Sequence, residues 1–204
     1  MAYNRFKKLA QLREELGIDD RIGDWMPHPI PEVTVTDFLL QNLAEAKDEA
    51  LGTEKAKSEY IVAPVLKELR RKNPNKFSSF SGYQFNVDSK LKLVGYCDFI
   101  LSANPKKIEI DAPIFCLVEA KNDLIENGLA QCGAEMYAAQ IFNERNGIHD
   151  KVMYGCVTNA FSWCFLKLEG KQLFIDTDFI PLTYAEPHRV LAVLQWILDS
   201  SLKQ

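Results

Sequence analysis

Glu119 and Lys121 flank Ala120 at the end of an apolar run, Ile114-Phe115-Cys116-Leu117-Val118. In an extended strand alternate residues project to the same face, so this carboxylate and this ammonium lie together while Ala120 turns to the other side. Side by side, the two groups can hold a divalent cation and a water in a fixed relation. The same acid-x-lysine spacing recurs at Glu45 with Lys47, Glu169 with Lys171 and Asp88 with Lys90. The first of these falls in a helical pattern, where residues two apart diverge, and the other two fall in turns. Glu119 and Lys121 are the pair that follows an apolar strand.

Asp98 interrupts a second apolar run, Leu93-Val94-Gly95-Tyr96-Cys97-Asp98-Phe99-Ile100-Leu101. A bare carboxylate in such a run is costly unless it is paired or binds a cation. If the two strands are neighbours, Asp98 and Glu119 come within one ion's reach. Two carboxylates with waters and substrate oxygens suit Mg²⁺, with Mn²⁺ as a substitute. The competing expectation is a structural ion pair between Asp98 and Lys121. Glu59 shares a helical face with Val62, Ala63 and Leu66, so it either completes the site or sits at the stripe's edge with its head in water. Gln131, ten residues after Lys121, lies on a face with Ala134 and Ala138. There it can hydrogen-bond the lysine or a phosphate, or be an ordinary surface glutamine. Tyr96 and Tyr137 are read as packing residues that could also border a groove.

These side chains need elements to position them. Residues 4–16 read as an amphipathic helix stopped by Gly17, and a proline-rich turn region follows. A second helix starts after Thr36 and ends near Gly52. A third spans residues 53–72, bent at Pro64. Extended segments over 80–87, 91–102 and 108–119 are separated by short polar turns and predict an antiparallel meander. A small-residue helix over 125–145 leads to strands over 152–168 and 171–179 around Glu169-Gly170, and a last helix opens at Pro187. The strand–helix–strand step from Val118 to Val157 predicts a parallel pair. The class is α/β: a mixed β-sheet flanked by helices, with residues 1–52 as an N-terminal helical extension and residues 53–204 as the main domain.

Composition narrows the alternatives. In 204 residues, 47% are hydrophobic and 25% charged, as in an ordinary globular chain. Residues 1–16 lack the unbroken apolar stretch of a signal peptide, and no run approaches a membrane span, which predicts a cytoplasmic protein without membrane contact. The five cysteines form no Cys-x-x-Cys, so they are expected to be reduced core residues, and the three histidines suggest no triad. The net charge of −4 disfavours non-specific nucleic-acid binding by the whole surface, although Lys67, Arg70, Arg71, Lys72 and Lys76 cluster.

Taken together, Glu59 on a leading helix, Gly95-Tyr96-Cys97-Asp98, Glu119-Ala120-Lys121 and Asn127-Gly128-Leu129-Ala130-Gln131 resemble the PD-(D/E)XK nuclease superfamily over residues 53–168. Gln131 is similar to the helix glutamine of its RecB-like and type I restriction subunit branches. The resemblance implies a restriction-endonuclease-like αβββαβ core and Mg²⁺-dependent cleavage of nucleic acid, with DNA as the expected partner. By the same resemblance Asp98, Glu119 and the Ala120 carbonyl would bind the metal, Glu59 would reach it through water, and Lys121 would position the attacking water. Two departures stand out: Glu135 occupies the position where those branches place a tyrosine, and no proline adjoins Asp98. No DNA-recognition domain is apparent, which leaves a homodimer or a partner subunit to supply specificity. The alternative is a catalytically silent nuclease-fold domain that serves as a nucleic-acid- or protein-binding scaffold.

Overall fold

The computed structural model describes residues 3–203. Helix α1 (Leu9–Leu16) stops where Gly17 turns left-handed, φ 67°, and returns its N–H to the preceding turn. The turn region after it contains a strand that sequence pattern does not reveal. This β1 (Asp19–Ile22) reads Asp-Asp-Arg-Ile and is exposed at three of its four positions. Helix α2 (Asp37–Glu45) does begin after Thr36, but the Thr36 side chain does not cap it. The hydroxyl instead donates to Glu68 Oε2 at 2.8 Å, while Glu68 Oε1 accepts the Thr36 N–H at 3.0 Å. A 3₁₀ turn, Ala46–Asp48, ends the helical stretch before Gly52.

The helix expected over residues 53–72 is continuous but irregular. Helix α3 (Glu54–Lys57) passes into one π-helical turn (Ser58–Val62), and α4 (Ala63–Lys72) follows. Pro64 lacks an N–H and its ring crowds the carbonyl four residues back, so the chain widens into the π turn where a bend was expected.

Strands β2 (Ser78–Gln84), β3 (Tyr96–Ser102) and β4 (Ile114–Ala120) form the antiparallel meander. Their connections are longer than the polar turns suggest, because the stretches before Tyr96 and before Ile114 leave the sheet. Helix α5 (Glu126–Arg145) then returns the chain to β5 (Met153–Thr158), parallel to β4 as expected. The single extended run expected over 152–168 is a hairpin. It folds at Ala160, φ 81°, into β6 (Ser162–Glu169), with Thr158 Oγ1 and Asn159 Oδ1 accepting N–H groups of the turn. Strands β7 (Gln172–Ile175) and β8 (Ile180–Pro181) and helix α6 (His188–Ser201) complete the chain.

The result is a mixed eight-stranded sheet in the order β1-β7-β6-β5-β4-β3-β2, with β8 paired to β6. Helices cover both faces. Leu39, Leu43, Val65, Leu69, Val190 and Leu194 pack on one side, with Val118 and Phe165. Leu12, Leu16, Ala130, Ala134 and Ala138 pack on the other, with Leu117 and Leu166. Strand β4 is central and buried at all seven positions, which is why its sequence reads as a nearly continuous apolar run. Helix α5 lies close on β4 and β5: Gly128 faces Val157 and the Lys121 stem, and Gly155 faces Met136 and Cys132. At its far end Asn143 accepts the Ile114 N–H at 2.8 Å and donates to the Ile114 carbonyl at 2.7 Å, pinning the helix to the start of β4. Among the described residues no helix is long and apolar enough to cross a membrane.

Candidate active site

The carboxyl ends of β4 and β5 meet the start of β3 beside α3. Phe99 pairs with Val118, so Asp98 and Glu119 are adjacent across the β3–β4 ladder. Asp98 Oδ2 accepts the Ala120 N–H at 2.8 Å, and its carboxyl adjoins that of Glu119. Glu119 is 1% exposed. One of its oxygens accepts from the Lys121 ammonium, and the other, Oε2, is buried without a hydrogen-bond partner. Lys121 also donates to Gln131 Oε1 at 3.1 Å, and Gln131 Nε2 donates to Glu135 Oε1 at 3.1 Å. The Lys121 N–H donates to the Thr158 carbonyl at 2.8 Å, continuing the β4–β5 ladder past its end. Lys57 of α3 hydrogen-bonds the Asn122 carbonyl and so ties the helix to the same strand end.

A groove of about 330 Å³ reaches this cluster at Asp98 and Ala120, and is lined besides by Glu54, Lys55, Ser58, Glu59, Ser81 and Gly82. Its two long walls are the α3 side and the β2–β3 edge.

Burial and crowding set the charges. Burial pushes Asp98 above its ordinary range, against the pull of the Ala120 N–H and Lys121. Burial, reinforced by Asp98, pushes Glu119 up to about 8 in spite of Lys121. For Lys121 burial pulls downward, but Glu119, Glu54 and Asp98 more than reverse it, so the net direction is upward and the ammonium is kept. Glu135, fully buried, is held well above the carboxylate range by desolvation and then by Glu119. The raised Lys121 implies an ionised partner, whereas the raised Glu119 implies a retained proton. One ammonium cannot balance three crowded carboxyls. The cation-free cluster therefore keeps Lys121 charged and shares protons among the acids.

The oxygen-rich set fits a hard divalent cation on one observation in particular, the buried and unpartnered Glu119 Oε2. Asp98, Glu119 and the Ala120 backbone are the groups that would hold it. Among the described residues no three His, Cys, Asp or Glu side chains converge as a ready-made metal site, so any ion held there would depend on other oxygens for most of its shell.

Of the residues singled out from sequence, Asp98, Glu119, Ala120, Lys121 and Gln131 come together. Glu59 does not join them. It lines the groove, but its side chain is 58% exposed and it pairs with Lys55 at 3.6 Å, which is the stripe-edge outcome. It sits in the π turn, Ser58–Val62, rather than in regular helix. Tyr137 lies elsewhere, under Lys171 at 3.6 Å from the ring centroid. Tyr96 is exposed at the start of β3. Sequence reasoning missed Glu54, whose charge reaches both Glu119 and Lys121, and it missed the role of Glu135. The signal for Glu135 was its i+4 spacing from Gln131 among alanines and glycines. Comparison of the sequence with protein-family models and with curated proteins yields no match in either case.

Proposed function

We propose that the chain is a Mg²⁺-dependent nuclease of the PD-(D/E)XK type that hydrolyses phosphodiester bonds, with DNA as its substrate. The observation that carries this reading is the convergence of Asp98, Glu119 and Lys121 from two adjacent strands, beside an open groove that Asp98 and Ala120 line. Bound there, the cation would neutralise phosphate charge and acidify a water. The protein's own contribution is orientation. Asp98 is locked by the Ala120 N–H, and Glu119 is locked by Lys121. Lys121, held between Glu119 and Gln131, keeps a positive charge beside the cation site, where it can offset the charge that develops on an attacked phosphate. Because the groove is open along α3, it suits a polymer better than a small molecule that must be enclosed.

Asp98→Ala and Lys121→Ala test this directly. Each is expected to lower Mg²⁺-dependent cleavage of plasmid or oligonucleotide DNA by at least about 100-fold, as loss of one preorganised electrostatic group does. Circular dichroism and melting curves should show that each variant still folds. Wild-type cleavage by either variant would discard the assignment. A second reading, a silent scaffold with this fold, is favoured by the exposed position of Glu59 and by the lack, among the described residues, of three His, Cys, Asp or Glu side chains placed to hold one metal ion. It predicts no heat of Mg²⁺ or Mn²⁺ binding that Asp98→Ala removes.

A further inference from the structure

Glu135 is fully buried on α5 among small and apolar residues, yet it is an acid. An apolar side chain would be far cheaper to bury at such a position. Its surroundings supply one hydrogen bond, from Gln131 Nε2, and its Oε2 has no partner. The residue therefore does little for packing or for its own satisfaction. What it does is fix the amide of Gln131. The Lys121 ammonium can only donate, so Gln131 must present Oε1 to it, and Nε2 is then directed inward, where it needs an acceptor. Glu135, one helical turn on, supplies that acceptor. Without it the amide is free to turn over and point a donor at the ammonium.

We propose that Glu135 is a positioning residue, holding Lys121 at the cation site by fixing the orientation of the Gln131 amide. In its consequence for cleavage this inference rests on the nuclease reading; in its geometry it does not. The operative property is an acceptor at the end of a three-membered chain, Lys121 to Gln131 to Glu135, buried against the face of β4 and β5.

The test reads Lys121 itself in the full-length, metal-free protein, through ¹⁵N–¹H correlation spectra of lysine ammonium groups with Lys121→Arg to assign the signal. An ammonium held by two acceptors is expected to give a sharp, slowly exchanging signal. Glu135→Gln keeps an acceptor and should preserve the signal, whereas Glu135→Leu should broaden or remove it. In a Gln131→Leu background, Glu135→Leu should change it no further. An unaltered Lys121 signal in Glu135→Leu overturns the proposal, as does equal loss in folded Glu135→Gln. If leucine at this position does not fold, methionine, which matches the length of the glutamate, carries the same comparison. In cleavage assays Glu135→Leu should lose about 10–100-fold, the usual cost of an orienting partner, with Glu135→Gln near wild type. A wild type that never cleaves, with spectra as expected, overturns the nuclease reading and supports the positioning role.

Discussion

Glu119 and Glu135 carry a measurable signature of the acid crowding around Lys121. A carboxyl whose pKa is higher in the folded than in the unfolded chain makes the folded state bind the extra proton. The stability this gives is complete below the unfolded value, 4.5 for Glu119, and is lost as pH rises toward about 8. Glu135 shifts in the same direction, so it adds to the same loss. The melting temperature is therefore expected to fall between about pH 5 and about pH 8, with at most about 1.4 kcal/mol lost per pH unit for each proton involved. Glu119→Gln and Glu135→Gln should each flatten the slope. Mg²⁺ should raise the melting temperature more at the alkaline end, since a cation needs the ionised carboxylate. Thermal melts across this range, with and without Mg²⁺, check both statements. A wild-type slope that rises with pH would contradict the protonated cluster. Asp98, Glu119 and Lys121 were visible in sequence because charged groups inside or at the end of apolar runs are too costly to be incidental, and Gln131 stood out by its helical face with Ala134 and Ala138 and by the resemblance. The choice left open for Glu59, site or stripe's edge, could not be made from a periodicity that assumes regular helix, because Glu59 lies in a π turn. Glu135 escaped because a glutamate in a helix of small residues looks like surface until the helix is found buried nearly all round.

At the scale of elements, the site depends on how closely α5 approaches the sheet. A Cβ at Gly128 would lie 2.5 Å from Val157 Cγ1 and 3.1 Å from both Cγ and Cε of Lys121. Gly128→Ala must then either lift the start of α5 off β5 or displace the Lys121 stem. The expected cost is about 1–3 kcal/mol in chemical denaturation, the usual penalty of overpacking, together with a fall in cleavage larger than that of an alanine placed at the open Gly52. Unchanged stability and cleavage would show that helix and strand have slack here. The elements that make this contact were also the ones easiest to read. Strand β4 is a continuous apolar run, and α5 opens after it and ends before Asn146-Gly147, so the parallel β4–β5 pair followed from connection rules. What stayed hidden had weak chemistry of its own. Strand β1 is an exposed edge of charged residues that lacks the alternation of a half-buried strand. The β5–β6 hairpin turns on Asn159 and Ala160 without a glycine or proline to mark it, and the apolar runs on either side, Met153–Val157 and Trp163–Leu166, concealed the reversal.

For the whole molecule, the balance of charge decides how a polyanion could reach the groove. The chain carries a net charge of −4, and the groove itself is walled by Glu54, Glu59 and Asp98. The basic cluster on α4 also makes local contacts: Lys67 and Arg71, both exposed, lie over the Phe38 ring, Arg70 donates to the Phe77 carbonyl at 2.6 Å, and Lys72 donates to the Thr34 carbonyl at 2.8 Å. Lys57 is likewise engaged with Asn122. The groove's own lining sets Lys55 against three acids, so its electrostatics oppose the approach of a polyanion. Metal-free binding of duplex DNA is expected to be weak, with a salt slope corresponding to fewer than about three phosphate contacts, where dedicated DNA-binding proteins make about 6–10. Mg²⁺ should tighten binding by Lys121→Ala, which retains both carboxylates, and should leave Asp98→Ala unaffected. Fluorescence anisotropy against a salt series measures each quantity. Tight metal-free binding with a steep slope would place the nucleic-acid surface away from this groove, because no acidic site of this kind attracts DNA by electrostatics alone.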